Sequence, residues 1–216
     1  LPDWIEVVSC HLPGHEERLR EAPFLEIDQL LDAILEEMRP LLDQPFAFFG
    51  HSFGAMLAFY LTQRLRRNGL SLPRRLIVSG CRPLHLPPSH GPIRDLPQAQ
   101  FIEQLQKRYE PIPNPILRDP DALDLFTSIL RADFTVFETA LHSPEPPLDC
   151  AISAYAGLQD PEVTPSLLEQ WANYTTGQFQ LALFPGSHLY YRSPSPALFE
   201  TLASDLSAHD PRFLPA

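Results

Sequence analysis

Pro45-Phe-Ala-Phe-Phe-Gly50-His-Ser52-Phe-Gly54 opens on five apolar residues and closes on a serine with a glycine two positions away on either side. The apolar opening, bounded by proline and glycine, reads as a buried strand. Behind the serine, Ala55, Leu57, Ala58 and Leu61 recur at helical spacing. Strand, Gly-x-Ser-x-Gly, helix is the context in which a serine is held at the apex of a strained turn with its hydroxyl exposed. The flanking glycines are expected to leave room for neighbouring backbone.

Working outward, further β-rich runs lie at Ile5–Cys10, Arg75–Ser79, Cys150–Tyr155 and Phe179–Phe184. Ile27, Leu30, Leu31, Ile34, Leu35 and Met38 mark an amphipathic helix. Strands alternating with helices predict an α/β fold, a mainly parallel sheet flanked by helices. The alternation breaks at about 85–147. There Pro83, Pro87, Pro88, Pro92 and Pro97 lead into helical patterns at 98–109 and 121–141. That stretch reads as a helical cap, or lid, inserted in one domain spanning 1–216.

A length of 216 residues with 44% hydrophobic content suits a substantial core. Cys10, Cys81 and Cys150 are far apart and sit in or beside apolar runs, so they read as small core residues of a cytoplasmic protein. No stretch approaches the ~20 consecutive apolar residues of a membrane span, and none resembles a leader. A net charge of -11 argues against nucleic acid as a partner. Between Phe53 and Arg94 there is no acidic residue, while Arg64, Arg66, Arg67, Arg74, Arg75, Arg82 and Arg94 fall there. Arg64, Arg66 and Arg67 suit a helix end, with docking of an acidic partner as the alternative reading of this positive stretch.

Serine at neutral pH needs a base within reach. Of eight histidines, His188 in Pro185-Gly-Ser-His188 follows a strand at the end where such sheets collect chemistry. His51, adjacent to Ser52, is expected to point away and be structural. His11 and His15 flank Pro13-Gly14 without an obvious third ligand, so no metal site is expected. His85, His90 and His142 fall in or near the insertion, and His209 lies near the end. Asp160, in the loop after Cys150–Tyr155, is the acid to orient the base, in preference to Glu162; alone it would read as a turn residue before Pro161. The order Ser52, Asp160, His188 matches the α/β-hydrolase fold. The Phe53 N–H, at the start of the following helix, is placed to stabilise an oxyanion.

These residues resemble the type II thioesterases that accompany polyketide and non-ribosomal peptide synthases, including the medium-chain thioesterases of fatty-acid synthase. The likeness runs over nearly the whole chain. It is carried by Leu12-Pro-Gly14, the Pro45–Gly54 stretch, Arg131-Ala-Asp-Phe134, Asp160-Pro161 and Pro185-Gly-Ser-His-Leu-Tyr190. The resemblance implies nucleophile, acid and base at Ser52, Asp160 and His188. It implies hydrolysis of acyl chains from the phosphopantetheine arm of an acyl or peptidyl carrier protein, with no cofactor. Terminal thioesterase domains often carry their acid after the strand that follows the nucleophile's helix. Here that loop is Ser79-Gly-Cys-Arg82, with no carboxylate between Ser52 and Asp95. Two departures stand out. The N-terminal strand and the oxyanion loop usual in the family are not recognisable in this sequence, and Ser187 replaces the usual glycine before the histidine.

Phe53, Met56, Phe126, Ile129, Phe134 and Phe137 have the character to shape an acyl chamber, and at least equally that of ordinary core; Met56 and Phe134 are the substrate-binding candidates. The expectation is a serine thioesterase, monomeric and cytoplasmic. The alternatives are a carboxylesterase or lipase acting on small oxygen esters with the same triad, and a carrier-protein binding module without turnover.

Overall fold

Four of the five apolar runs pair into one sheet in the computed structural model, which describes residues 1–207. In chain order the elements are α1 (Ile27–Met38), β1 (Ala47–His51), α2 (Phe53–Arg67), β2 (Arg75–Ser79), α3 (Gln98–Arg108), α4 (Asn114–Arg118), α5 (Pro120–Thr139), β3 (Ala151–Gly157), α6 (Pro165–Leu168), β4 (Phe179–Phe184) and α7 (Pro196–Ser207). The strands lie in the order β1-β2-β3-β4, every pair parallel. β2 and β3 are buried along their whole length, as continuous apolar runs require when both faces are covered. Successive side chains alternate between the faces. Leu76, Val78, Ile152, Ala154 and Ala156 pack with Ala55, Ala58 and Phe59 of α2 and with Trp171. Ile77 and Tyr155 pack with Phe184, Tyr190 and Leu198 of α7.

The run at Ile5–Cys10 does not form the expected strand. β-propensity is realised only in a ladder with a neighbour, and among the described residues none pairs with this stretch. Val7 and Val8 are accordingly 71% and 60% exposed. Cys10, on the same stretch, is exposed rather than core, whereas Cys81 and Cys150 are buried. Burial pushes the Cys81 thiol up to about 12 and that of Cys150 to about 11, which makes both poor nucleophiles.

The arginine-rich segment also divides. Arg64, Arg66 and Arg67 fall in the last turn of α2, where cations complement the helix dipole. Glu145 takes hydrogen bonds from both Arg66 and Arg67. Arg75 does not belong to a surface patch: its side chain is 2% exposed, within 3.8 Å of the equally buried Asp205 of α7. It donates to Ser153 Oγ (2.7 Å), and the Tyr155 hydroxyl donates to Asp205 Oδ2 (2.6 Å). This network ties α7 to β2 and β3.

The chain resolves into two compact units, one of 1–7, 37–87 and 143 onward, which holds the sheet, and one of 8–36 and 88–142. The second has its own apolar cluster around Ile93, Phe101, Leu105 and Ile112. Asp119 caps α5 by accepting from the Asp121 and Ala122 N–H groups, with Pro120 in the first turn. Arg131 lies 4.4 Å over the Phe101 ring and donates to the carbonyls of Arg94 and Leu96. Asp133 takes His15 Nε2 at 3.1 Å, while His15 Nδ1 faces the Pro13 carbonyl at 3.2 Å. Two acceptors, one on each nitrogen, favour the imidazolium. Among the described residues no helix is long and apolar enough to cross a membrane.

Asp205→Ala, which removes the carboxylate 3.8 Å from the buried Arg75 guanidinium, is expected to cost about 3–5 kcal/mol in denaturant unfolding; a loss under about 1 kcal/mol would show that the ion pair does not anchor α7. The hydrogen bond to Asp133 raises the His15 pKa, against the opposing effect of burial. A raised folded-state pKa stabilises below the ordinary imidazole value, and the stabilisation is lost as pH rises through the raised one. The stability difference between the parent protein and His15→Gln is therefore expected to be larger at about pH 5.5 than at about pH 8.5, as chemical unfolding at the two pH values will report.

Candidate active site

Parallel strands deliver the segments that follow them to one edge of the sheet. Ser52 follows β1, Ser79-Gly80 closes β2, Asp160 follows β3 and His188 follows β4. Ser52 has φ 52° and ψ −114°, a left-handed conformation that costs a non-glycine residue about 1–3 kcal/mol. Neighbours hold it there. Its N–H donates to the Ser79 carbonyl at 2.7 Å, and its own carbonyl accepts from the Ala55 and Met56 N–H groups at 3.0 and 3.3 Å. Helix α2 starts at Phe53, so the Phe53 N–H belongs to the first turn, whose N–H groups have no intrahelical acceptor.

The two glycines of the turn do different work. A Cβ on Gly50 would lie 2.2 Å from the Gly54 carbonyl oxygen, which no side chain can satisfy. A Cβ on Gly54 would meet nothing within 4 Å among the described residues. The close approach expected of both is thus a requirement on Gly50 alone, with Gly54 contributing backbone.

Asp160 and His188 are in direct contact, with His188 Nδ1 2.8 Å from Asp160 Oδ2 and the imidazole 3% exposed. A neutral ring that donates from Nδ1 carries its lone pair on Nε2. The other carboxylate oxygen, Oδ1, accepts from the Glu162 and Val163 N–H groups at 2.9 and 3.3 Å. Asp160 is therefore the turn residue its Pro161 neighbour suggests and, through its second oxygen, the partner of His188. Ser52 and the Asp160–His188 pair share one edge of the sheet.

The loops after β3 and β4 are joined by backbone. The Leu158 N–H donates to the Phe184 carbonyl and the Gln159 N–H to that of Gly186, while the Gln159 side chain accepts from the Gly186 N–H at 2.7 Å. A Cβ on Gly157 would lie 2.1 Å from the Ser187 carbonyl, so only glycine allows this approach. His51 departs from expectation. Its ring centroid lies 4.7 Å from that of His188 and 4.6 Å from that of Tyr191, and Nδ1 is 2.9 Å from Ser79 Oγ. Ser79, Gly80, Gln159 and Tyr190 join the site without having been expected there; the signals for them were Gly80 directly after β2 and Gly157 at the end of β3.

Of the other singled-out residues, Met56 is buried in α2 and Phe134 lies in the helical unit, edge-on to Phe101 at 5.8 Å. His11 faces Glu16 and Glu17, His85 faces the Tyr174 hydroxyl, and His209 lies outside the described residues.

The family description "Thioesterase domain" matches residues 1–206. The chain is 33% identical over 205 residues to the gramicidin S biosynthesis protein GrsT of Aneurinibacillus migulanus, covering 95% of this chain and 80% of that protein. Among solved structures it is similar to RedJ, a thioesterase from the prodiginine biosynthetic pathway in Streptomyces coelicolor, with a TM-score of 0.82 and 35% identity, covering 94% of this chain and 80% of that one. It is also similar to the type II thioesterase BorB from the borrelidin biosynthetic cluster, with a TM-score of 0.76 and 31% identity, covering 89% and 78%.

The glycine asymmetry is open to direct measurement. Gly50→Ala is expected to lose at least about 2–3 kcal/mol from forced displacement of the α2 start, and Gly54→Ala to stay within about 1 kcal/mol of the parent, helped by the helix propensity of alanine. Equal losses in the two variants by thermal or denaturant unfolding would contradict this geometry.

Proposed function

The chain belongs to the thioesterase-domain family, and from that premise we propose that it hydrolyses acyl groups held as thioesters on the phosphopantetheine arm of an acyl or peptidyl carrier protein, using Ser52, His188 and Asp160. The observation that carries this reading is the left-handed Ser52 at the strand-to-helix turn, on the same sheet edge as the Asp160–His188 pair. The type II thioesterase BorB and the thioesterase RedJ, both from biosynthetic pathways, support the carrier-bound substrate.

In this reading Ser52 Oγ attacks the thioester carbonyl while His188 Nε2 takes its proton. The Phe53 N–H stabilises the oxyanion. The tetrahedral intermediate collapses, His188 returns the proton to the departing thiolate, and the serine ester remains. Water then attacks that ester, with His188 again as base, and releases the acid. Asp160 holds the imidazole tautomer and stabilises the imidazolium. Residues 1–216 act as one domain in which the insertion at about 85–147 serves as the cap, with Phe134 and Met56 as acyl-contact candidates. The protein works in the cytoplasm as a monomer and needs no cofactor.

The test is acyl release from a carrier protein loaded with short and medium acyl groups, read by intact-protein mass spectrometry. Ser52→Ala should abolish release, and Asp160→Asn should lower kcat by on the order of 10³- to 10⁴-fold. Turnover confined to simple aryl esters would favour a carboxylesterase. Carrier binding without turnover or fluorophosphonate labelling of Ser52 would sink the catalytic reading.

A further inference from the structure

His51 adjoins Ser52 and touches residues at the end of β2 and behind β4. It is the last residue of β1, directly before Ser52. Its imidazole sits between the rings of His188 and Tyr191 and 6.1 Å from that of Tyr190, three residues that follow β4. Nδ1 faces Ser79 Oγ at the end of β2, and Ser79 Oγ is in turn 2.7 Å from the Tyr190 hydroxyl. Tyr190 is itself fixed, stacked on Phe184 with an interplanar angle of 12°. Gly80 adds a backbone wall: a Cβ there would lie 2.5 Å from His51 Cε1 and 3.2 Å from His188 Cε1, so the two imidazoles share a surface that only glycine provides.

The ring is built to stay neutral. An imidazolium needs an acceptor on each nitrogen, yet His51 Nε2 is buried with no hydrogen-bond partner among the described residues. Burial, with the adjacent His188 and Arg192 charges, lowers its pKa to about 3 against the opposing pull of Asp160. So weak a base, with no carboxylate of its own, is unsuited to take a proton from serine. It can lie against His188 while that ring gains and loses charge.

We propose that His51 is a positioning residue: wedged between His188 and Tyr191 and tethered through Ser79 to Tyr190, it sets the attitude of the His188 imidazole for proton transfer. The proposal rests on the thioesterase reading for its kinetic consequence but not for its geometric one.

The experiment compares the parent protein with His51→Ala, His51→Phe and Tyr190→Phe. It reads kcat and KM separately on an acyl-carrier thioester, the pH profile of kcat/KM, and the downfield proton resonance of the His188 Nδ1–H on Asp160. His51→Ala is expected to lower kcat by about 10- to 100-fold, since a misplaced base costs rate rather than substrate affinity. KM should stay within about twofold, the acidic limb of the pH profile should shift, and the downfield resonance should move or broaden. His51→Phe, which restores a packed ring without a titratable nitrogen, should recover most of the lost kcat. Tyr190→Phe removes the tether but keeps the ring on Phe184, and should show a smaller change of the same kind even where His51→Ala fails to fold. Unchanged kcat, pH profile and resonance in His51→Ala would overturn the proposal. So would a folded His51→Phe as inactive as His51→Ala, because the imidazole would then be required chemically. If the parent protein releases no acyl group the thioesterase reading fails, while the resonance, which needs no substrate, still decides the positioning.

Discussion

The hydrogen bond from the Ser52 N–H to the Ser79 carbonyl extends the β1–β2 ladder one residue beyond the strand and holds the chain at the point where it must reverse into α2. A left-handed serine survives only where its surroundings over-determine it. Here the ladder grips the N–H, the first turn of α2 grips the carbonyl, and the bare Cα of Gly50 lets the Gly54 backbone close over it. Because the strands are parallel, that one reversal shares its edge with the loops after β2, β3 and β4.

On that edge a few polar groups each meet two demands. Asp160 spends one oxygen on its own turn and the other on His188, so the carboxylate is oriented before it orients anything else. Ser79 passes the Ser52 N–H into the sheet through its carbonyl and ties His51 to Tyr190 through its hydroxyl. Such linked networks are rigid because no member can turn without leaving another buried group unsatisfied. A second network binds α7 to the strands: Arg75 donates to Ser153, Tyr155 donates to Asp205, and the Arg75 guanidinium lies 3.8 Å from the Asp205 carboxylate.

The residues that most resemble the type II thioesterases outside the loops of the candidate site acquire physical roles in the helical unit. Arg131 collects the carbonyls of the 94–96 segment and covers Phe101, Asp133 takes His15, and Phe134 packs against Phe101. Arg131-Ala-Asp-Phe134 is a fastening by which one helix holds two other stretches of chain.

Elements whose causes are local were legible in the chain alone. Continuous apolar runs marked β2 and β4 at their observed bounds and β1 and β3 within two residues at each end; helical periodicity marked α1, and alternation required a parallel sheet. The turn at Ser52 and the placement of Asp160 and His188 behind later strands were legible because strand, glycine and turn residues are read within a few positions of one another. What depended on a partner was not legible. Ile5–Cys10 has strand composition but no described neighbour to pair with, and Arg75 looked like surface charge until Asp205, 130 positions away, met it in the core. His51 was expected to point away from the site, and only the fold brought Ser79, Gly80, His188 and Tyr191 around it. Propensity and periodicity are properties of short windows, whereas burial, pairing and the protonation of a buried ring are decided by residues distant in the chain, which only the tertiary structure brings together.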